Sequence, residues 1–482
     1  MFQLLRPIFY IGGILVLIMA VLMLIPACFA YVIHDPELTP FLNSSAVTAV
    51  SGLVFILLSR ERKIALATRQ LYLLTTFSWM LLSLAGSLPL ILAHHPLALV
   101  DAVFESVSGI TTTGSTVMSQ LQTLPPSILL WRSLLQWVGG LGVIGMAVSI
   151  LPFLQIGGMK LFQTESSDWS DKSLPKFHGL ARALLVSYIL ITMVCAVSYW
   201  MGGMSAFDAI NHAMTTVSTG GYATDDRSMA RFGPIILWIS VLFMIVGALP
   251  LTFFIRFFPP RKIHPQVDQQ ITGFLLITGC MVFLLTIDLI SDKGLPPFEA
   301  LTQSAFNITS IITTTGYASS DYTNWGQFSI ALFFIVTFIG GCSGSTSGGM
   351  KVFRFQLSYL FLMNQLKKQV HPHGIFMIKY NGKQIQDDIT ASAIAFSFMF
   401  FIALALTTLL LTAFGVDFLT SFTGAVTTLT NVGPGLGEVI GPAGNFSPLP
   451  DSAKWTLSFA MILGRLELLS VIVLFSTAFW NR

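Results

Sequence analysis

The segment ITTTGST at 110–116 returns as VSTGGYA at 217–223, ITTTGYA at 312–318 and LTNVGPG at 429–435, each set between strongly apolar stretches. Thr-Gly turns are cheap in water and costly in a lipid-like interior, because a turn leaves backbone N–H and C=O groups without helical partners. Irregular backbone at membrane depth is tolerated only where it is buried in protein or lines a wet cavity. Four such turns therefore restrict the fold to one that shields all of them, and the simplest solution brings them together.

The surroundings are those of a membrane protein. The chain of 482 residues is 54% hydrophobic and 10% charged, with 40 Phe, where a soluble domain carries about a quarter charged residues. Apolar runs fall near 8–33, 42–59, 70–94, 128–154, 181–202, 233–258, 270–292, 327–350, 388–414 and 455–479. The first run is too long for the apolar core of a signal peptide and reads as a retained helix. Ten spans put both termini on one side. With the N-terminus inside, all of the 25 Lys and Arg residues except Arg132, Arg227, Arg231, Lys293, Lys454 and Arg465 fall on the inner side, as the positive-inside rule expects. The single cysteines Cys28, Cys195, Cys280 and Cys342 have no metal-site or disulfide spacing and read as small core residues.

Four segments on the outer side remain. Each opens with an acid (Asp101, Asp208, Glu299, Asp417), continues as a half-apolar helix too short to cross a bilayer, and ends at a Thr-Gly phrase. The expected fold class is an all-α polytopic membrane protein with ten transmembrane helices. Eight of them form four helix–pore loop–helix repeats with pseudo-fourfold symmetry, after two extra N-terminal helices. The divisions are 1–69 for the extra pair, then 70–180, 181–265, 266–385 and 386–482 for the repeats. Four loops around one axis would stack carbonyl oxygens into rings, which are hard neutral ligands for dehydrated alkali cations. Glycine lets a carbonyl turn inward where a Cβ would clash. The acids are expected to cap the free N–H groups of the short helices. A lone Thr-Gly turn would be a plain helix connector; four in matching settings are not explained that way.

These phrases resemble the degenerate filter loops of the Trk/Ktr/HKT potassium-transport superfamily, and the likeness spans almost the whole chain. Its length and two extra N-terminal helices resemble the Trk branch more than the shorter Ktr type. The resemblance implies a K+ filter made of Thr111, Thr112, Thr113 and Gly114; Ser218, Thr219, Gly220 and Gly221; Thr314, Thr315 and Gly316; and Asn431, Val432 and Gly433. Family members with serine at the first filter glycine tend to prefer sodium. Glycine at 114, 220, 316 and 433 therefore implies potassium. The fourth phrase departs most, with Asn431 and Pro434. The transported ion would be K+, with no organic cofactor. The resemblance further implies a homodimer in the bacterial inner membrane, with both termini cytoplasmic. It also implies a cytoplasmic ring of nucleotide-binding regulatory proteins as partner.

IGGCSGSTSGGMKVFR at 339–354 interrupts the eighth apolar run. Gly, Ser and Thr at this density do not hold a regular helix. The segment lacks Gly-Lys-Ser/Thr after a soluble strand, so it is not a phosphate-binding loop. It is either a flexible connector or a broken helix that obstructs the pore. The resemblance favours a gate made of Gly340, Gly341, Ser343, Gly344, Ser345, Thr346, Ser347, Gly348 and Gly349 together with Arg465. Arg465 lies mid-span in the last run, where a charge is costly and marks function by default. The plainer reading is a structural ion pair, although Glu467 lies two residues on and faces elsewhere on a helix. The polar, basic segments 155–182 and 351–387 carry inner-side charge and offer a partner surface.

Two other function classes fit the sequence less well. A Na+- or H+-coupled secondary cation transporter would need acids inside spans and commonly shows inverted repeats. Against it, inverted repeats are absent and few acids lie inside spans; Asp288, read near the inner end of the seventh run, is a candidate but lies near the membrane edge. An intramembrane enzyme could use His212 and Asp208, but no nucleophile or metal-ligand cluster joins them, and no enzymatic activity is expected. Nothing in the charge pattern points to nucleic acid; the expected surroundings are the lipid bilayer.

Overall fold

The computed structural model describes residues 2–59, 66–149, 174–255, 268–385 and 387–480. The described chain is helical apart from loops and one small hairpin. An N-terminal pair, α1 (Phe2–Ile33) and α2 (Leu38–Leu58), packs together and against α3. Then a long helix, a short helix, a loop and a second helix recur. The long helices are α3 (Thr68–Leu92), α6 (Leu174–Met201), α10 (Gln269–Ser291) and α14 (Asp387–Ala413). The short ones are α4 (Leu99–Ile110), α7 (Ala206–Val217), α11 (Pro297–Ile312) and α15 (Phe418–Thr430). The second helices are α5 (Pro126–Ser149), α8 (Pro234–Ala248), α12 (Gln327–Ile339) and α16 (Asp451–Arg465).

Each short helix packs between its long and second helices. Each second helix also packs on the next group's short helix: α5 on α7, α8 on α11, α12 on α15, and α16 back on α4. This circular packing puts the four short helices in the interior. Their residues are almost all buried, while the long helices keep apolar residues such as Met193, Leu276 and Leu409 exposed toward the surroundings.

Among the described residues, six helices are long and apolar enough to cross a membrane: α1, α2, α3, α6, α10 and α14. Three of the four second helices are interrupted, which accounts for most of the difference from ten uninterrupted spans. Helix α8 stops at Leu249, because the following Pro250 bars the helical conformation there, and α9 (Leu251–Ile255) resumes after it. Helix α12 stops at Gly340, with φ +74°, and α13 (Val352–Val370) follows the Gly/Ser segment. Helix α16 stops at Arg465. There the chain bends by 106° into α17 (Leu469–Ile472) and the turn ending at Phe475, before a last short helix α18 (Thr477–Trp480).

The segment 351–387 is not a loop but mainly α13 and a hairpin pairing β1 (Lys379–Tyr380) with β2 (Lys383–Gln384). The part of the inner surface expected at 155–173 lies outside the described residues. Of the cysteines, Cys195 and Cys342 are buried, but Cys28 and Cys280 are exposed, so the core reading holds for two of the four. Asp288 lies in the last turn of α10, just before the connection to α11, and accepts from Ser329 Oγ at 3.0 Å. It therefore sits at the end of α10 nearest the start of the short helix, not at the opposite end.

Candidate filter and gate

The four short helices end alike. In each, one N–H just past the helix end bonds to the carbonyl five positions back, and the preceding N–H bonds to the carbonyl three positions back. Thr113 N reaches Ser108 O and Thr112 N reaches Gly109 O at 2.9 Å each. Gly220 and Thr219 bond likewise to Thr215 and Thr216, Thr315 and Thr314 to Ser310 and Ile311, and Val432 and Asn431 to Thr427 and Thr428. This is the Schellman ending, in which glycine usually takes the left-handed position. Here that position holds Thr112, Thr219, Thr314 and Asn431, at φ 52°, 54°, 59° and 55°. Asparagine adopts this conformation readily, but a β-branched residue there is an outlier. Such strain persists only where surrounding structure imposes it.

Two residues on, the chain again takes positive φ, at Gly114 (86°), Gly221 (76°), Gly316 (79°) and Gly433 (112°). This backbone match corrects one register. Gly221, not Gly220, corresponds to Gly114, Gly316 and Gly433, while Gly220 corresponds to Thr113, Thr315 and Val432. The fourth phrase shares the backbone form despite Asn431 and Pro434.

The loops interlock in a closed ring. A Cβ on Gly114 would strike Gly220 O, one on Gly221 would strike Thr315 O, and one on Gly316 would strike Val432 O. A Cβ on Gly433 would lie 2.8 Å from Thr113 O, which closes the circle. Side chains tie the seam between the last and first loops: Ser115 Oγ donates to Gly433 O at 2.8 Å, and Asn431 Nδ2 donates to Thr113 Oγ1 at 2.9 Å. Thr111 shares a hydrogen bond with Thr113 at 2.7 Å between hydroxyls, and Ser218 Oγ donates to Thr215 O. The ring carries only neutral oxygens, and four helix C-termini point their partial negative charge toward it. That combination attracts a cation while supplying no titratable ligand.

One side of the ring opens into a funnel of about 190 Å³ bordered by Gly114, Gly221, Gly316 and Gly433 together with Asp225 and Asn445. Burial pushes the Asp225 carboxyl up, but hydrogen bonds from Arg227 and Arg231 outweigh it and hold it below the ordinary carboxylate range.

The other side is covered by the segment between α12 and α13. Thr346 Oγ1 lies 3.0 Å from both Val217 O and Gly247 O, and Thr219 Oγ1 donates to it at 3.3 Å. Gly348 N donates to Thr314 Oγ1 and Gly349 N to Thr430 O, both at 2.7 Å. Ser343 N donates to Gln270 Oε1, Cys342 N to Ala248 O, and Gly344 O accepts from Leu251 N. Ser345 Oγ donates to Cys342 O, Gly341 N donates to Ser347 Oγ, and Lys351 Nζ donates to Ser347 O. The segment is thus a pinned plug against the second, third and fourth loops, not a slack connector. Gly340 and Gly349 close against each other's backbone at its neck.

Arg465 reaches this plug. Its Nη1 donates to Thr346 O at 2.9 Å, while Nε and Nη2 are buried with no hydrogen-bond partner. Glu467 does not serve it; that carboxylate takes Arg354 Nη2 at 2.5 Å.

The acids at the starts of the short helices behave differently from expectation. Only Asp417 is a cap: Thr420 N donates to it at 2.9 Å, and that bond holds its carboxyl below the usual range. Asp101, Asp208 and Glu299 lie in the first turn, behind Ala98, Ser205 and Pro296 at the cap positions. Asp101 takes Lys454 Nζ at 2.6 Å and Asp208 takes Arg231 Nη2 at 2.5 Å. His212 Nδ1 lies 2.8 Å from Asp208 O, and the described residues hold no cluster of three or more metal-ligating side chains.

A family model described as TrkH, cation transport protein, matches residues 38–482. The chain belongs to the TrkH family. Within it, the chain is 47% identical over 478 residues to the Trk system potassium uptake protein TrkI of Halomonas elongata, covering 99% of this chain and 97% of that one. It is 34% identical to the Trk system potassium uptake protein TrkH of Escherichia coli strain K12, over 99% of both chains. Its fold is similar to the crystal structure of the potassium transporter TrkH from Vibrio parahaemolyticus, with a TM-score of 0.92 at 35% identity over 99% of both chains.

In this TrkH-family chain, three buried residues behind the ring escaped the sequence reading of the site. Glu105 on α4 and Arg132 on α5 pair at 2.8 Å, at 0% and 1% exposure. Arg132 also donates to Ala223 O, and its guanidinium lies 4.1 Å from the Tyr222 ring centre. Gln136 on α5 bonds to the second loop. A signal was present: Arg132 and Gln136 lie four apart, on one face, inside an apolar run.

Proposed function

We propose that this chain is the potassium-translocating subunit of a bacterial Trk-type uptake system. The observation that carries the reading is the closed ring of four loops, each with a left-handed Thr or Asn, then a glycine pressed on the next loop's carbonyl. Interlocked neutral backbone oxygens fed by four helix C-termini suit a cation that has shed its water. In this reading Thr111–Gly114, Ser218–Gly221, Thr314–Gly316 and Asn431–Gly433 are the selectivity filter of four pore repeats, with boundaries at 70–180, 181–265, 266–385 and 386–482. The relatives named as potassium uptake proteins support K+ as the ion.

The plug of Gly340–Gly349 with Arg465 is the gate in this reading. Its hydrogen bonds to three of the four loops support that role, as does a buried guanidinium without a carboxylate partner. The proposal extends to an inner-membrane location with both termini in the cytoplasm, a homodimer, and a nucleotide-binding ring protein on the inner face. Relatives named as members of a Trk system support the existence of further components.

The test is radiolabelled Rb+ uptake into proteoliposomes holding the purified chain, with K+ or Na+ as competitor, for wild type and Gly114→Ser. Wild type should show competition by K+ and not by Na+, and the substitution should erase that preference. Absence of flux in wild type, or a preference indifferent to Gly114→Ser, overturns the filter reading.

A further inference from the structure

The second quarter of the ring is built differently from the others. Thr113, Thr315 and Val432 fill the space behind the loop with their own side chains, and the two threonines bond to Thr111 and Thr313 at 2.7 and 2.8 Å. Gly220, at the matching position, has no side chain. A Cβ there would collide with the amide of Gln136, which comes from α5 and fills the place instead. Gln136 is fully buried. Its Nε2 donates to Gly220 O at 2.6 Å, and its Oε1 accepts from Tyr222 N at 3.0 Å. One side-chain amide thus grips the peptide groups on both sides of Gly221. The amide orientation is fixed by these partners, since a flip would set donor against donor and acceptor against acceptor.

Among the described residues, no side-chain donor reaches the carbonyls of Thr113, Thr315 or Val432. The Gly220 carbonyl alone of the four already accepts a hydrogen bond. A carbonyl so engaged offers less to a cation, and its peptide cannot turn freely. The consecutive glycines Gly220 and Gly221 would otherwise make this quarter the loosest, because glycine pays little to change φ and ψ.

We infer that Gln136 is a positioning residue for ion selection, holding the Gly220–Gly221–Tyr222 backbone in the form that distinguishes K+ from smaller cations. It touches no ion; it acts through the loop. The inference rests on the filter reading above. Without Gln136, the second quarter can collapse onto a smaller ion, so discrimination should fall while the other three quarters still conduct.

The experiment is Rb+ uptake in proteoliposomes, with K+ and Na+ competition, on Gln136→Leu, on Gly220→Thr, and on the pair Gln136→Ala/Gly220→Thr. Gln136→Leu should lower the K+ over Na+ preference about tenfold, the scale of one lost hydrogen bond, and raise the Rb+ KM with little change in maximal flux per folded protein. Gly220→Thr alone should lose flux, because its side chain meets Gln136. The pair rebuilds the pattern of the first and third loops and should regain the preference. A wild-type preference in Gln136→Leu overturns the inference, as does a paired variant no more selective than Gln136→Leu. Should Gln136→Leu not fold, Gln136→Asn stays polar but is one methylene too short to reach both partners, and gives the same readout. Gly221→Ser, measured alongside, separates the two claims. If it leaves selectivity unchanged, the filter reading fails; if it changes selectivity and the Gln136 variants do not, only this inference fails.

Discussion

Arg132 and Arg465 are both buried arginines in second helices, one near each face of the ring, yet they are provided for in opposite ways. Arg132 has Glu105 at 2.8 Å, the Tyr222 ring beside it and Ala223 O within reach. Arg465 has one carbonyl, Thr346 O, and two nitrogens with nothing. Of the six basic residues that break the inner-side pattern, Arg132, Arg227, Arg231, Lys293 and Lys454 all meet a carboxylate within 3.4 Å. Arg465 meets none among the described residues. A buried ion pair holds a local geometry, and removing one partner leaves the other charge stranded. A buried charge without a counter-ion does the reverse: it raises the potential of its surroundings at a cost in stability. The first arrangement suits a fixed scaffold, the second a barrier to cations.

Replacing each cation by Met turns this contrast into measurements. Arg132→Met strands Glu105 and should cost about 3–5 kcal/mol, read as a large drop in thermal unfolding temperature in detergent. A protein as stable as wild type would show the pair to be dispensable. Arg465→Met strands no charge and leaves only the Thr346 carbonyl without its donor. It should keep or raise the unfolding temperature while increasing flux about tenfold, which corresponds to about 1.4 kcal/mol off the barrier. A loss of stability matching that of Arg132→Met would make Arg465 a structural residue and end the contrast. Lys454→Met removes an ion pair with the partly exposed Asp101. Lys454 is buried but Asp101 stays partly open to solvent, so the change should cost less than Arg132→Met and leave flux and selectivity untouched; altered selectivity would tie the start of α4 to the ring.

How much of this could be read from the residues varied with the kind of signal. The Thr-Gly phrases are local and recur, so their association was legible. The register in the second phrase was not, because Thr219-Gly220-Gly221 offers two glycines and only φ tells them apart. Apolar runs located helices but not their breaks. Hydropathy passes smoothly through Glu467 and Leu468, where the chain bends by 106°, and through the turn at Pro250. The Gly/Ser segment announced its irregularity, but not that it would be pinned by bonds from three of the four loops. The acids misled because an acid near a helix start can cap it or sit one turn in, and Ala98, Ser205 and Pro296 had already taken the cap positions. Gln136 was invisible as a loop ligand because its partners Gly220 and Tyr222 lie more than eighty residues away.

The seam between the last and first loops has a consequence for how the chain is made. Asn431 meets Thr113 across 318 residues of sequence, and Ser115 meets Gly433 across the same distance. No shorter stretch of the chain contains the ring. Gly114, Gly221 and Gly316 each press on the loop that follows, so each of these contacts waits for a neighbour that the ribosome delivers later. An unfinished chain, inserted helix by helix, carries three arcs with an open flank and no plug braced from Thr430 or Arg465. The ring and the segment that covers it are therefore completed in the same late step of synthesis.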